Sequence, residues 1–377
     1  MNKFYNFGNQ SFTVARKLVA TAMIFPVLFA GCKKGADVTT DKQTLRDEKS
    51  VASAAAAEDE YFQLAVIPDT QYYMSEDSHD GKYYMFQDQI TWIRANKTTS
   101  KIAYVAHVGD IVDDGETDLA QWVKAKNEIY KLETDNIPYG LAVGNHDQTP
   151  FGDAGQGATN NGYGAYFGKA HFASKTWYGG AYGSSDNNDN HYDKFTANGV
   201  NYLVLYIEFN EPGYTTDADP TVRYRADITT DVSAWANGVL ATYSTYKAII
   251  VSHSILKPST SGNHQDYNAA TNNSAGAFTP QGQQIYDLIA KNNNNVFLML
   301  SGHKPGEAFL KTNYNGHIIK SYLADFQSRP VGGNGNMRLM KLNKTLQTLS
   351  VRTFAPKSGP NIVETDADSE FSDGLYN

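Results

Sequence analysis

A chain of 377 residues, 41% of them apolar and 12% aromatic, has a globular composition and is long enough to bury a core without disulfides or a structural metal. Its 32 basic against 40 acidic side chains give a formal charge of −8, which argues against holding a nucleic acid by bulk charge. A single cysteine, Cys32, excludes a disulfide framework and a thiolate zinc site.

In chain order, residues 1–31 read as an address rather than as structure. Lys3, Arg16 and Lys17 precede an uncharged stretch, 18–31, that is short for a bilayer span, the pattern of a secretory signal peptide. It ends in Phe29-Ala30-Gly31-Cys32, which resembles the bacterial lipobox, with Phe29 where Leu is usual. That resemblance implies a lipid on Cys32, which becomes the mature N-terminus. Residues 32–60, rich in Ala, Ser, Thr, Lys and Asp without apolar periodicity, are expected to be a flexible tether. The expectation is an exported protein, periplasmic or on the cell surface, attached to the membrane only through its lipid.

A folded domain is expected over 61–356, where short apolar runs alternate with helical patterns, the α/β signature. Strands are predicted at 62–67, 102–108, 139–143, 248–251 and 296–300, with a hairpin of 192–195 and 200–209 turning at Asn198-Gly199. Helices are predicted at 119–132 and at 280–290, the second capped by Thr279 with Pro280 in its first turn. Residues 147–191 are rich in Gly, Asn and Tyr and make a candidate substrate loop, in which Trp177 and Tyr178 offer flat faces. Packing of that loop by its own aromatics is the alternative. Strands at 318–323, 337–342 and 348–353 suggest a second sheet, and 357–377, with Glu364, Asp366, Asp368, Glu370 and Asp373, reads as a solvated acidic tail.

Five of the apolar runs share a feature: each is followed at once by residues able to ligate a hard or borderline cation. They lead into Asp69-Thr70-Gln71, Gly109-Asp110-Ile111-Val112-Asp113-Asp114, Gly144-Asn145-His146-Asp147, Ser252-His253 and Ser301-Gly302-His303. Side chains just past the carboxyl ends of neighbouring strands converge on one crevice in open α/β sheets. Singly, each group has an ordinary reading as a turn, a cap or a packed histidine; five in a row, each ending a strand, point to a metal site. His107, on a buried run, is expected to be a core residue, and His79, His171, His191, His264 and His317 receive no role.

This set resembles the calcineurin-like metallophosphoesterase superfamily, in the branch that opens with Asp-Thr-Gln. The likeness extends through Trp177-Tyr178-Gly179-Gly180, Ile207-Glu208-Phe209, Trp235-Ala236 and Ala324-Asp325-Phe326-Gln327. It implies a four-layer sandwich of two facing mixed β-sheets flanked by helices. It also implies two metal ions, of the Mn, Fe or Zn type, bridged by Asp110, one completed by Asp69 and Gln71, the other by Asn145, His253 and His303. The implied function is hydrolysis of a phosphodiester or phosphomonoester by a metal-bridging hydroxide, with His146 assisting the leaving oxygen and Asp113 orienting that imidazole. The sequence departs from the family at Gly302-His303-Lys304-Pro305, where a second histidine is expected at Pro305. One metal therefore loses an imidazole and is expected to bind weakly. Glu307 is a candidate substitute, with a surface carboxylate as its alternative, and Lys304 is a candidate contact for a phosphate oxygen. The rival reading is a catalytically degenerate surface lipoprotein that binds a glycan or a protein.

Overall fold

The computed structural model describes residues 60–155, 162–183, 187–215, 224–258, 275–357 and 361–376. Cys32, the signal-like segment and the tether lie outside them. Strand β1 (Tyr61–Ile67) pairs in parallel with β2 (Ile102–His107), which pairs in parallel with β3 (Tyr139–Leu141). On its other side β1 meets β13 (Met337–Asn343) antiparallel, and β13 meets β14 (Thr348–Ala355), to which β15 (Ile362–Val363) and β16 (Glu370–Gly374) both pair.

The second sheet runs in the order β11 (Gly306–Tyr314), β12 (His317–Asp325), β10 (Val296–Ser301), β7 (Lys247–Ser252), β6 (Val200–Ile207), β5 (His191–Ala197), β4 (Tyr178–Ala181). Its four central strands, β12, β10, β7 and β6, are parallel, and the outer ones are antiparallel. A separate two-stranded ribbon joins β8 (Leu256–Pro258) and β9 (Gly276–Phe278). The β5–β6 hairpin turns at Asn198-Gly199 with φ of 48° and 70°, the left-handed pair that a two-residue turn requires.

The sheets face each other across one apolar core. Leu64, Tyr104 and Tyr139 of the first sheet share it with Tyr202, Val204, Tyr206, Val251 and Leu300 of the second, and Tyr104 stacks on Phe195 at 5.1 Å. The opposite face of the second sheet, with Leu203, Leu205 and Ile207, lies under Val232, Ala236 and Leu240 of a helix at Ala226–Thr242 and Ile285 of a helix at Pro280–Leu288. Burial on both faces is why β6 reads as a continuous apolar run rather than an alternation, and each such Leu or Ile contributes about 1.5–3 kcal/mol. The other face of the first sheet is covered by a helix at Tyr83–Asn96, through Phe86 against His107 and Trp92 against Phe354. The result is the four-layer α/β sandwich expected from the sequence.

Thr279 caps the Pro280–Leu288 helix as expected, its hydroxyl accepting from the Gly282 N–H at 3.0 Å, a contribution of about 1 kcal/mol. The helix predicted at 119–132 is two pieces, Leu119–Ile129 and Lys131–Thr134. Two expectations need correction. The three C-terminal strands do not form one sheet: 317–325 joins the second, while 337–343 and 348–355 return to the first beside β1. The acidic tail is not a solvated end, because Glu364, Asp366 and Asp368 are buried and Glu370–Gly374 is strand β16. Glu364 is held by Arg329 at 2.7 Å, and Asp366 O accepts from the Ser369 and Glu370 N–H groups in the turn that leads into β16.

Candidate metal centre

The carboxyl ends of β1, β2, β3, β7, β10 and β12 meet at one edge of the sandwich, three strands from each sheet. A helix at Gln71–Ser75 starts directly after β1, so Asp69 and Gln71 are held within one turn of chain. Thr70 between them is accounted for by packing. The Gly109 N–H donates to His107 Nδ1 at 3.2 Å, so His107 Nε2–H donates to Thr70 Oγ1 at 3.0 Å, and that hydroxyl donates to Ile111 O at 2.9 Å. Burial pushes His107 down to about 3, and it is a neutral core residue, as expected.

Asp110 sits at φ 48° and His303 at φ 71°, both in the left-handed region that non-glycine residues seldom occupy. Such strain is concentrated at functional sites. Two glycines permit the close approach of ligand candidates. A Cβ on Gly109 would meet His253 Nδ1 at 2.6 Å, and one on Gly302 would meet Asp69 Oδ1 at 1.9 Å.

Asp110 Oδ1 accepts from the His146 N–H at 3.1 Å, and its Oδ2 lies 3.0 Å from His253 Nε2. His253 Nδ1 donates to Val108 O at 2.9 Å, which turns Nε2 into the site. Asp69 Oδ2 accepts from the His303 N–H at 3.0 Å. Asp110, His253 and His303 each offer an atom within 4.8 Å of the others'. Burial opposes ionisation of Asp110, but the imidazoles of His253 and His146 outweigh it and hold its carboxyl well below the usual range. His303 is pushed down by burial, then by His253 and Lys304.

Four buried oxygens here meet no donor: Asp69 Oδ1, Gln71 Oε1, Asn145 Oδ1 and Asp325 Oδ1. All are acceptors, and buried acceptors are rarely left unpaired. The amide nitrogens have neighbours of their own, Gln71 Nε2 standing 3.4 Å from His146 Nε2 and Asn145 Nδ2 donating to Tyr214 OH at 2.9 Å, which leaves the two amide oxygens as the open acceptors. The Lys304 ammonium stands 2.9 Å from His303 Nε2, a positive charge already resting on an imidazole of the site. The donor set fits a pair of cations.

His146 Nδ1 lies 2.6 Å from the main-chain oxygen of Asp113 and 3.3 Å from its carboxylate. A carbonyl only accepts, so Nδ1 carries the proton and Nε2 faces the site. Asp113 thus orients the imidazole chiefly through its backbone. Asp147, the last residue of its block, takes Ile111 N at 2.9 Å, Val112 N at 3.2 Å and Gly144 N at 2.8 Å, clamping two of the loops together.

The structure does not bring Trp177 and Tyr178 to this edge. Trp177 is buried, donates from Nε1 to Tyr139 O at 2.9 Å, and lines a surface hollow with Ile102 and Pro138 at the amino ends of β2 and β3. Tyr178 donates to Asn188 Oδ1 at 2.8 Å and stacks on Phe172. Their aromatic surface serves packing, the alternative the sequence left open. Glu307 corrects both of its readings: it is buried, and it bridges Arg329 and Arg338 at 2.6 Å each.

Three residues of the site were given no role from sequence. Glu211 accepts from Ser254 Oγ and stands 3.8 Å from His303 Nε2. Tyr214 sets its ring 5.9 Å from that of His303. Asp325 ends β12, buried, and burial together with the Asp110 charge pushes it up to about 7 against the pull of His253. Asp69 is raised well above its usual value, by burial and then by the charges of Asp325 and Asp110. Asp325 could have been found, since it too follows an apolar strand; Glu211 and Tyr214 follow no such pattern.

The profile of the calcineurin-like phosphoesterases matches residues 62–307, and the chain belongs to that family. Membership implies a site for two metal ions. The uncharacterized protein YvnB of Bacillus subtilis (strain 168) is 32% identical over 309 residues, 80% of this chain and 20% of that protein. The chain thus spans about a fifth of that curated relative's length. Among solved structures, a dimetal phosphatase from Danio rerio aligns with 81% of this chain and 99% of its own, at 13% identity and a TM-score of 0.47. The purple acid phosphatase PPD1 from yellow lupin seeds aligns with 83% of this chain and 54% of its own, at 14% identity and 0.45.

Proposed function

We propose that the protein hydrolyses a phosphoester, diester or monoester, at a pair of metal ions. Asp69, Gln71 and Asp110 hold one ion, and Asn145, His253 and His303, with Asp110 shared, hold the other. The observation that carries this reading is the group of unpaired buried acceptors gathered around the imidazoles at one edge of both sheets. Carboxylate, amide oxygen and imidazole suit Mn, Fe or Zn. When bound, such a pair activates a water and neutralises phosphate charge.

The chain's own groups do the rest. The Val108 carbonyl fixes the tautomer of His253 so that Nε2 presents its lone pair. Asp113 O keeps one proton on His146 Nδ1, so the proton delivered to the departing oxygen is a second one, carried on Nε2 by the imidazolium, which returns to the neutral Nδ1–H tautomer. Phe151 stands against that imidazole at 4.7 Å, edge to face, and limits its rotation. Lys304 adds a positive charge for a phosphate oxygen.

The test is hydrolysis of an aryl phosphodiester and of the matching monoester by the full chain, stripped with chelator and titrated with Mn²⁺, beside Asp110→Asn. Metal-dependent turnover that disappears in the variant is expected. Turnover of neither substrate with any divalent metal overturns the reading.

We also propose that the protein is exported and carries a lipid on Cys32, on the strength of the signal-like pattern alone. Labelled palmitate should enter the parent and not Cys32→Ala. Equal labelling of both, or of neither, sinks the proposal.

A further inference from the structure

We propose that Asp325 takes the place of the imidazole that this chain lacks at Pro305, completing the ion held by Asp69, Gln71 and Asp110. The inference rests on the dimetal reading above and assigns it one more ligand.

The backbone makes the placement. Strands β10 and β12 are parallel with Ser301 opposite Leu323, so β12 delivers Asp325 to the edge where β10 delivers His303. Strand β11 turns back immediately after Pro305, and its antiparallel register sets Gly306 opposite Asp325. The carboxylate therefore arrives across from the residue next to Pro305. Pro305 is itself exposed, and its side chain carries no ligating atom.

The surroundings agree. Asp325 is 2% exposed, and its Oδ1 meets no donor. The backbone N–H of Gln327 donates to its carboxylate, and Gln327 Oε1 accepts from Tyr72 N at 3.3 Å, which ties this turn to the segment bearing Asp69 and Gln71. Arg329, four residues on, is engaged with Glu307 at 2.6 Å and Glu364 at 2.7 Å. Asp69, Asp110 and Asp325 are thus three carboxylates buried near one another with an imidazole among them, while the Arg329 guanidinium, which also acts on Asp325 through its charge, is bonded to Glu307 and Glu364. Burying carboxylates without a counter-charge is strongly unfavourable, and a cation among them offsets it. A carboxylate oxygen serves a Mn or Fe ion as well as an imidazole does, and it adds a negative charge. The exchange of ligand should therefore favour harder ions over Zn²⁺.

The experiment measures metal rather than turnover. The full chain is stripped and reloaded with Mn²⁺, and bound metal is counted by plasma mass spectrometry, with electron paramagnetic resonance reporting the spin-coupled pair. The parent is expected to hold about two ions, and Asp325→Ala and Asp325→Asn about one, with the coupled signal lost. Asp325→His should restore the second ion and shift Mn²⁺/Zn²⁺ competition toward Zn²⁺. Variants that hold as much Mn²⁺ as the parent, with unchanged affinity, overturn the assignment while leaving the dimetal reading in place. A parent that takes up no metal, or an Asp110→Asn chain that keeps all of it, removes the dimetal reading and this inference together. Should Asp325→Ala fail to fold by circular dichroism, the near-isosteric Asp325→Asn decides.

Discussion

Two groups of buried acids, Glu307 with Glu364 and Asp69 with Asp110 and Asp325, are built in opposite ways. Around Glu307, both carboxylate oxygens are met by guanidinium groups, Arg329 and Arg338 at 2.6 Å each, and Arg329 reaches on to Glu364 at 2.7 Å. The Ser369 hydroxyl stands 2.9 Å from both acids. Burial resists ionisation of Glu307, yet Arg338 and Arg329 hold it below its usual range. Around Asp69, Asp110 and Asp325 the acids are as deeply buried, but Asp69 Oδ1 and Asp325 Oδ1 meet no donor, and burial drives Asp69 up. A cluster that brings its own cations is architecture. One that leaves its acceptors open is waiting for cations from outside, so the residue type alone, acid in a core, does not separate a strut from a site.

The contrast can be broken by substitutions that should each fail in a different currency. His146→Ala, in the open cluster, is expected to lower kcat by about 10²–10⁴ while bound metal stays at the parental level. Metal lost in parallel with rate would make His146 a ligand instead. Glu307→Ala removes the carboxylate that two buried guanidinium groups share and is expected to cost about 3–5 kcal/mol in urea unfolding. The fraction still folded should hold parental metal; a selective loss of metal would reassign Glu307 to the centre. Removing metal from the parent should lower its melting temperature, because a ligand at a hundredfold excess over its Kd stabilises the native state by about 2.7 kcal/mol. A melting temperature indifferent to chelator would mean that the open cluster is stable as it stands.

The smallest effect sharpens the comparison from outside both clusters. Glu133 is one-fifth exposed and paired with His171 at 2.7 Å and Lys175 at 2.5 Å. Burial opposes its ionisation, but those hydrogen bonds prevail and pull it down to about 2. Its folded pKa is depressed, so its stabilisation is present above the unfolded value of about 4.3 and is lost as pH falls toward 2. Glu133→Gln should cost at most about 1 kcal/mol at neutral pH, with the difference from the parent vanishing in acid. A difference that persists at pH 2 would assign the effect to packing.

The centre was legible where chemistry follows directly on a strand. Asp69, Asp110, Asn145, His253 and His303 each come within a few residues of the end of an apolar run, and the strand order does the gathering. The same rule applies to Asp325, the last residue of β12. Glu307 was illegible for another reason: its partners, Arg329 and Arg338, come from later turns of chain and are set beside it only by the β11–β12 pairing and the crossover between sheets. The acidic C-terminal segment was illegible because the cation that buries Glu364 is Arg329, 35 residues earlier in the chain. Trp177 shows the reverse, an aromatic in a glycine-rich stretch whose hydrogen bond to Tyr139 O no pattern announces.

The pairing of β1 with β13 joins Tyr61 to Asn343 and Val66 to Arg338. The first strand of the domain therefore has one flank that only a strand near the far end of the chain can cover. Until that stretch has left the ribosome, a growing polypeptide offers an open strand edge beside the Asp69 turn, and a chain cut short before β13 offers it permanently. Such edges invite pairing with other chains, and contacts this distant in sequence form slowly. Assembly of the first sheet is thus a late event, and a nascent chain needs protection until its last strands arrive.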